Sequence, residues 1–300
     1  MDTGGKCGYL MCGTFPQVHQ VYLATNSVPD YFVNAEKVEQ LDYGKIFPKT
    51  GEEEEEDSST RHCRSRPSVR DLLTTKPEVA IMKMEDCGLP MADIVGKLKP
   101  LEVLSLVKQI LIGFMVAEKA FEFEHRDLHM GNIMVKHTEK DTLKYMYVDK
   151  NIYLPSYNLQ VKIIDTTFSR LKFKRKVYYR NLSHLFNEGE IDVEKNKKNP
   201  LSHQNQTYRA MASVIQHDWP SSYPRSNLLW CIYIIKKFLH SRAIRKDKQK
   251  YASSVRKLLS AYVSILVNMQ TMHEFFSFIY QKPELNRYVP IKMEAIQFNG

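Results

Sequence analysis

One segment constrains the fold of this chain more than any other: a polar stretch enclosed between a predicted buried helix and a predicted short strand. Pro100 begins the helix, because proline suits a first helical turn, and apolar residues recur at helical spacing as far as Phe121. Apolar residues 133–135 follow the polar stretch and predict a strand. The residues in between therefore lie on a loop whose ends are fixed by buried elements: His125, Arg126, Asp127, Leu128, His129, Met130, Gly131 and Asn132.

The polar side chains of this loop match the requirements of phosphoryl transfer. Transfer from ATP needs a carboxylate that orients the attacking hydroxyl, and oxygen ligands that hold Mg²⁺ on the phosphates. Asn132, and Asp165 at the end of the predicted strand 161–164, carry hard oxygen donors and are the predicted magnesium ligands. The order His-Arg-Asp, four residues, Asn, and later a strand ending in Asp is that of a protein-kinase catalytic loop. The predicted catalytic set is three adjacent residues, with the aspartate as the base: His125, Arg126 and Asp127.

Several stretches of the chain resemble the haspin family of Ser/Thr protein kinases. Residues 121–132, which read Phe-Glu-Phe-Glu-His-Arg-Asp-Leu-His-x-Gly-Asn, resemble the family's catalytic loop, including its second His and its Gly. Most kinases follow the metal-binding Asp with Phe-Gly, whereas residues 165–171 are similar to the haspin arrangement. Residues 208–211 and 223–230 also resemble the family's C-terminal helices. The resemblance extends over about residues 79–239 and more loosely towards both ends.

The resemblance implies an α+β, protein-kinase-like fold with an incomplete small β-rich N-lobe and a mainly helical C-lobe. Residues 1–85 are expected to form the partial N-lobe, with a disordered acidic insertion at about 45–76, and residues 86–300 the C-lobe. Apolar periodicity predicts C-lobe helices at about 228–239 and 255–267. The nucleotide-binding set combines the predicted hinge with the two metal ligands: Glu85, Asp86, Cys87, Gly88, Asn132 and Asp165.

The same resemblance implies Ser/Thr specificity, ATP and Mg²⁺ as cofactors, and a protein substrate in chromatin, the N-terminal tail of histone H3. A nuclear location follows from it, with the cytoplasm as the alternative. Five cysteines without paired spacing agree with reduced thiols in either compartment. Neither a secretory signal nor a membrane span is expected, and therefore no membrane partner.

Three parts of a working kinase are not recognised in the sequence: a glycine-rich loop over the phosphates, a strand Lys that binds them, and a helix Glu that pairs with this Lys. The glycine-rich run at residues 4–8 has no strand before it and not the required spacing, so it predicts a flexible tail. Lys6 and Lys37 are the candidates to replace the missing Lys, but no local pattern supports either of them. The N-lobe is therefore expected to be truncated.

Other positions depart from the family in ways that concern the substrate. Thr207 stands where the family has an Asp that braces the catalytic loop, and Pro90 and Ala92 replace its acidic pair after the hinge. Residues 172–176, Lys-Phe-Lys-Arg-Lys, are basic where the family tends to be acidic. A cationic groove repels a basic histone tail. These positions therefore count against histone recognition.

The charge of the chain points to an anionic partner without selecting one. The formal net charge is +9, which is compatible with nucleotides, phosphoproteins or nucleic acid. The basic stretch 236–257 is predicted to be a helix with Phe238 and Tyr251 interleaved, which makes nucleic acid a weak candidate. Oligomeric state is not predictable from these features.

Three functional hypotheses remain open at this point. The first is an active haspin-like Ser/Thr kinase, and the second is a pseudokinase that keeps the catalytic lobe as a scaffold. The third is a small-molecule phosphotransferase, because such enzymes share a His-x-Asp-x-x-x-x-Asn loop. Arg126 and the sequence of residues 165–171 favour a protein kinase over the third hypothesis.

Overall fold

The computed structural model describes residues 12–24, 79–186, 203–245 and 250–296. The chain divides into two compact units, Gln17–Glu85 and a larger unit that combines Met1–Pro16 with Asp86–Gly300. The division between Glu85 and Asp86 lies at the predicted boundary between lobes, whereas the division after Pro16 was not predicted; the assignment of lobes stays a prediction. Some predicted features lie outside the described residues: the glycine-rich run 4–8 with Lys6, Lys37, the acidic insertion at about 45–76, and basic residues 195–198.

In the smaller unit, the described residues form two antiparallel strands, β1 (Val18–Ala24) and β2 (Val79–Met84). β-branched and aromatic residues favour this extended conformation. The pair is closed beyond the strand ends, because the Glu85 amide donates to the Gln17 carbonyl (2.9 Å) and the Gln17 amide donates to the Glu85 carboxylate (2.9 Å). Glu85, predicted to belong to the hinge, therefore makes these two hydrogen bonds at the end of the strand pair.

A short helix, α1 (Met91–Ile94), precedes the long helix α2 (Pro100–Phe121), which forms the centre of the larger unit. At its start, the Glu102 carboxylate accepts a hydrogen bond from the Lys99 amide (2.7 Å), which satisfies an N–H near the helix terminus. α2 is long and apolar enough to cross a membrane. However, every residue from 103 to 117 is buried within the protein, as in the core helix of a globular domain.

Small antiparallel sheets surround this helix in the larger unit. One has the strand order β3-β4-β7, the next has the order β10-β6-β5, and β8 pairs with β9 as a hairpin. In the first sheet Ile133 lies opposite Ile163, so the start of β4 and the end of β7 lie side by side. The strands are β3 (Leu89–Pro90), β4 (Ile133–His137), β5 (Thr142–Tyr147), β6 (Lys150–Pro155), β7 (Leu159–Ile163), β8 (Leu171–Phe173), β9 (Lys176–Tyr178) and β10 (Lys292–Ala295).

The C-terminal half of the larger unit is mainly helical. Its described helices are α3 (His203–Ile215), α4 (Arg225–His240), α5 (Arg242–Arg245), α6 (Ala252–Leu266) and α7 (Met272–Tyr280). α4 and α6 confirm the two helices predicted from apolar periodicity. Their apolar faces pack with α2 in one core that includes Phe114, Trp230 and Tyr262. The result is a mixed α+β architecture with a mainly helical larger unit, as predicted.

The prediction of one basic helix over residues 236–257 is wrong. α4 ends at His240, and Ser241 has an extended backbone (φ −72°, ψ 155°). The Ser241 hydroxyl donates to the Phe238 carbonyl (2.7 Å), which caps the end of α4. Phe238 is fully buried in the core, so it is not available to stack on a base. The charge run therefore extends over separate helices, and of its two aromatic residues Phe238 is buried while Tyr251 is 37% exposed.

Candidate active site

The predicted catalytic loop connects the end of α2 with the start of β4. Glu122, with φ of 46°, ends α2, and its amide donates to the Glu118 carbonyl (2.9 Å). The loop is then fixed by reciprocal backbone bonds between Glu124 and Arg170, both at 2.8 Å. Arg126 also has a left-handed backbone, with φ of 65°. Such conformations cost of order 1–3 kcal/mol for residues other than glycine and persist where surrounding contacts enforce them.

Asp127, the predicted base, is the member of the His-Arg-Asp set that reaches solvent. Its side chain is 13% exposed. One carboxylate oxygen accepts a hydrogen bond from the Tyr208 hydroxyl on α3. Burial raises the pKa of Asp127 to about 6; the hydrogen bond from Tyr208 opposes this rise, and the charge of Asp165 adds to it. At neutral pH the carboxylate is therefore largely ionised and able to accept a proton.

The fold brings the two predicted magnesium ligands to the same end of the β4–β7 pair. The Ile164 amide donates to the Asn132 carbonyl (2.9 Å), so Asp165 follows directly beside Asn132. The side-chain Nδ2 of Asn132 donates to the backbone carbonyl of Asp127 (2.9 Å). The side-chain Oδ1 of Asn132 is therefore the atom that can bind a cation. The structure therefore places the predicted base and both predicted ligands within one small region.

Asp165 has a left-handed backbone conformation, unlike the extended residues of the strand before it. Its φ is 58°, and its carboxylate accepts a hydrogen bond from the Thr167 amide (3.2 Å). Burial tends to raise the pKa of Asp165, but the hydrogen bonds from Thr167 and the neighbouring histidines lower it below its usual value. The carboxylate is therefore ionised at neutral pH, as a cation ligand requires.

Asn132 and Asp165 are better suited to hold Mg²⁺ than to form a site in which protein side chains supply all the ligands of the metal. Among the described residues, no group of three or more His, Cys, Asp or Glu side chains could hold a metal. Mg²⁺ prefers oxygen donors and commonly binds to one or two protein side chains, with nucleotide phosphates and water as its other ligands. One amide oxygen and one carboxylate match this pattern.

Arg126 serves to position the loop rather than to face a substrate. Its guanidinium is fully buried and forms an ion pair with the equally buried Glu124 carboxylate (3.1 Å). It also donates to the Trp219 carbonyl (2.9 Å) and lies over the Trp219 ring, 5.6 Å from its centroid. Glu124 in turn accepts from the Tyr223 amide (2.6 Å) and the Ser226 hydroxyl (2.9 Å). The buried pair therefore joins the loop to the start of α4.

His125, placed in the catalytic set from the sequence, is likewise fully buried. Its ring lies against Phe114 and Phe123, with centroids 6.4 Å and 6.2 Å away. Nε2 lies 3.0 Å from the Ile164 carbonyl, immediately before Asp165. Burial lowers the pKa of His125 to about 4, so the ring is neutral at physiological pH. The contacts of His125 connect the base-bearing loop with the metal-ligand segment.

Thr207 stands where the family has an Asp that braces the loop, and in this structure a different residue contacts the loop backbone. The Thr207 hydroxyl donates to the His203 carbonyl of its own helix (2.8 Å). Asn227 of α4 instead accepts from the His125 amide (3.0 Å) and donates to the Phe123 carbonyl (2.8 Å). The sequence signal that could have located it is the polar pair Ser226-Asn227 at the start of a strongly apolar helix. Both residues are fully buried, and a buried amide needs polar partners.

Residues 85–88, the predicted hinge, form neither helix nor strand. Gly88 has φ of 82°, and its amide donates to the Asp86 carboxylate (2.9 Å). A side chain at Gly88 would place its Cβ only 2.2 Å from the Val135 carbonyl oxygen, so glycine is required here. Cys87 between them is partly exposed. The role of residues 85–88 in nucleotide binding stays a prediction.

Comparison with known proteins identifies the family. Residues 56–282 match the model of the haspin-like kinase domain. The chain is 33% identical to a haspin homologue of Arabidopsis thaliana over 54% of its length, and 30% identical to haspin of Mus musculus over 68%. It is 28% identical to a haspin homologue of Drosophila melanogaster over 64%.

The matched regions cover only 26%, 26% and 31% of the Arabidopsis, mouse and Drosophila proteins, respectively, so the chain corresponds to about a quarter to a third of each relative. The match to the family model extends over most of the chain, and it includes the catalytic loop, the Asp165 segment and helices α3 to α6. This chain belongs to the haspin-like kinase family and has a protein-kinase-like fold.

Proposed function

We propose that this chain is a haspin-like Ser/Thr protein kinase that transfers the γ-phosphate of ATP to a protein hydroxyl. The observation that carries the proposal is the convergence of Asp127, Asn132 and Asp165 at the shared end of β4 and β7. Membership of the family makes ATP the expected donor. Phosphoryl transfer requires mainly positioning and electrostatics, and the buried bonds behind the loop supply the positioning.

Each of the three side chains has a distinct role in this proposal. The substrate oxygen attacks the γ-phosphorus, the bond to the β-phosphate oxygen breaks, and Asp127 receives the proton of the attacking hydroxyl. Asn132 and Asp165 would hold Mg²⁺, which neutralises charge on the phosphates. Tyr208 already donates a hydrogen bond to Asp127. A substrate hydroxyl that binds to Asp127 therefore either shares the carboxylate with the Tyr208 hydroxyl or displaces the Tyr208 hydroxyl from it.

The finer features of the proposal rest on the family alone. A nuclear location and histone H3 as substrate remain expectations from the resemblance, and the basic residues 172–176 count against the second of them. A pseudokinase scaffold is the second candidate, because no phosphate-binding Lys or glycine-rich loop is recognised in the sequence. Small-molecule phosphotransfer is less well supported than either, since the matched relatives are protein kinases.

Nucleotide binding distinguishes these candidates. We would measure thermal denaturation of the full chain with millimolar ATP, with and without Mg²⁺, and repeat it on Asp165→Asn. A ligand at about 100 times its Kd stabilises the native state by about 2.7 kcal/mol, which raises Tm by several degrees in a chain of this size. Asp149→Asn, at an exposed turn between β5 and β6, is the matched control.

The proposal predicts a rise in Tm that depends on Mg²⁺, persists in Asp149→Asn and disappears in Asp165→Asn. A shift without Mg²⁺ dependence would favour a nucleotide-binding pseudokinase. Absence of any shift in the wild-type chain would contradict the kinase proposal for this chain and favour the scaffold.

A further inference from the structure

The segment that follows Asp165 forms an exposed cationic surface next to the catalytic loop. We call residues 171–180 the basic hairpin; it contains β8, β9 and the two residues after β9. Its sequence is Leu-Lys-Phe-Lys-Arg-Lys-Val-Tyr-Tyr-Arg, with five cations and no acid. All five cationic side chains are exposed: Lys172, Lys174, Arg175, Lys176 and Arg180.

Among the residues that the structure describes, most of this charge has no acidic partner. Lys172 forms an ion pair with Glu122 (2.9 Å). Within the described part of the chain, the other four cations have no ion-pair partner. Three of them lie over aromatic rings instead: Lys174 over Phe173, Lys176 over Tyr178 and Arg180 over Phe168, at 5.5, 4.8 and 5.9 Å from the centroids.

The hairpin also exposes an unusual amount of aromatic surface. Phe173 is 50% exposed, and Tyr178 and Tyr179 are each 47% exposed. Phe121, at the end of α2, is 42% exposed and lies 6.3 Å from the Phe173 ring. Single exposed apolar residues need no explanation, but a contiguous group rimmed by charges is typical of a binding surface. Aromatic and cationic side chains together favour an anionic ligand with some apolar stem.

The hairpin is firmly attached beside the proposed base. Arg170, directly before β8, shares its two backbone bonds with Glu124, three residues from Asp127. The Ser169 hydroxyl donates to the His125 carbonyl (3.1 Å), and Leu171 packs against the core. At about 3.3 Å per residue, the tip at residues 174–175 lies roughly 13–16 Å along the strand from Arg170. An extended peptide covers this distance in four or five residues.

We propose that the basic hairpin selects substrates whose acceptor Ser or Thr is flanked by acidic residues, carboxylates or phosphorylated side chains, within about five residues. This proposal rests on the proposed kinase function and names the substrate class. A peptide is favoured over nucleic acid because the cationic surface is continuous with the catalytic loop. A site that binds a basic tail needs negative charge. The hairpin is positively charged, so it would repel a basic tail and attract an acidic peptide.

The test uses the full chain and three labelled peptides that differ only in charge. Each has a central Ser with four residues on either side, which are Glu, Gln or Lys. Fluorescence anisotropy measures binding, and transfer from labelled ATP measures kcat/KM. A nine-nucleotide oligothymidine, which carries the same charge as the Glu peptide, serves as the nucleic-acid probe. The hairpin variant is Lys174→Glu, Arg175→Glu and Lys176→Glu.

The matched control reverses three exposed lysines on the β5-β6-β10 sheet: Lys144→Glu, Lys150→Glu and Lys292→Glu. Both variants change the net charge equally. The proposal predicts that the Glu peptide is bound and phosphorylated at least about tenfold better than the Gln peptide, and better still than the Lys peptide. The hairpin variant loses most of this preference, and the control variant keeps it. Raising the salt concentration reduces it, because exposed charges are screened.

Other outcomes separate this proposal from the kinase proposal. Equal kcat/KM for the three peptides, or equal losses in both variants, would overturn the inference while kinase activity stands. Tighter, hairpin-dependent binding of oligothymidine than of the Glu peptide would overturn it in favour of a nucleic-acid surface. Hairpin-dependent binding of the Glu peptide without transfer would support the surface and contradict the kinase proposal. Neither binding nor transfer would overturn both.

Discussion

The predicted catalytic loop and the basic hairpin are both rich in charged residues, but these residues are buried in the loop and exposed in the hairpin. In the loop, Glu124, His125 and Arg126 are fully buried and bonded to the protein. In the hairpin, the cationic side chains are exposed, and only Lys172 among the described residues has an acidic partner. Charge in a motif therefore does not identify the groups that meet a substrate. Burial separates side chains that hold the site from side chains that meet a partner.

The largest effect is expected from breaking the buried ion pair. Glu124→Ala leaves the Arg126 guanidinium buried without its carboxylate, and loss of one partner of a buried pair typically costs about 3–5 kcal/mol. Glu122→Ala, two residues earlier on the same loop, removes a carboxylate that is 42% exposed and paired with Lys172 and Arg170. The Arg170 guanidinium is only 3% exposed, but it keeps its hydrogen bonds to the Pro220 and Glu122 carbonyls, so we expect a smaller loss than in Glu124→Ala. Urea denaturation of both variants measures the contrast, and similar losses would show that the comparison is mistaken.

The next effect tests which residue braces the loop. Asn227→Ala leaves the His125 amide and the Phe123 carbonyl without their buried partner, which should cost about 1–3 kcal/mol of stability. Because these groups fix the loop that carries Asp127, kcat should fall as well. Thr207→Ala removes a hydrogen bond within one helix and should leave kcat nearly unchanged. A larger loss of kcat in Thr207→Ala than in Asn227→Ala would contradict the role of Asn227 as the brace.

A smaller effect concerns the pH dependence of the base. The pKa of Asp127 is about 6, and the proposed reaction needs the ionised carboxylate. Activity should therefore fall as the pH falls through about 6. The hydrogen bond from Tyr208 lowers this pKa, so Tyr208→Phe should move the acidic limb of the pH–kcat profile to higher pH. A limb that stays in place or moves to lower pH would contradict the role of Tyr208.

Protonation of His125 should affect stability in the same acidic range. Its pKa is about 4 in the folded chain because of burial, and about 6.5 when exposed to water. Between these values the His125 ring binds more protons in the unfolded than in the folded chain, so its contribution to stability decreases as the pH falls from about 6.5 to 4. The raised pKa of Asp127 acts in the opposite direction, so urea titrations at pH 7, 6 and 5 on Asp127→Asn measure the loss due to His125. NMR titration of the His125 ring provides the control, since a pKa near 6.5 in the folded chain would rule this residue out as the cause.

The smallest effect is expected in the hairpin. We expect little loss of stability from a triple variant in which Lys174, Arg175 and Lys176 are all replaced by Ala. Each substitution should contribute no more than about 0.5 kcal/mol to the change in the free energy of unfolding, because exposed positions without buried partners contribute little. Thermal denaturation measures this change. A loss comparable to that of Glu124→Ala would mean that the hairpin holds the fold together, and the contrast between the two regions would disappear.

The sequence predicted the parts of this molecule that depend on neighbours along the chain. Asp127 and Asn132 are five residues apart, and Asp165 ends a predicted strand, so their proximity follows from one loop and one strand pair. The helices with apolar periodicity were predicted for the same reason. Local pattern, however, also predicted one basic helix over 236–257, and the extended backbone of Ser241 interrupts it.

The remaining features of the site depend on contacts between distant residues. Asn227 is 102 residues from His125, and Tyr208 is 81 residues from Asp127. Neither spacing leaves a local signal, and no motif shows that the Arg126 guanidinium is buried against Trp219. Packing of α3 and α4 against the loop therefore determines which residues of the motif position it and which one remains open to a substrate.

Transfer of labelled phosphate from ATP by the full chain, compared between wild type and Asp127→Asn, shows whether this loop is the catalytic centre of a kinase. We predict Mg²⁺-dependent transfer to a Ser-containing peptide, and a loss of about 10²–10⁴-fold in Asp127→Asn, with an unchanged melting temperature as evidence of an intact fold. Transfer that is undiminished in Asp127→Asn, or absent from the wild type under conditions in which it binds ATP, would contradict the claim that this loop is the catalytic centre of a kinase.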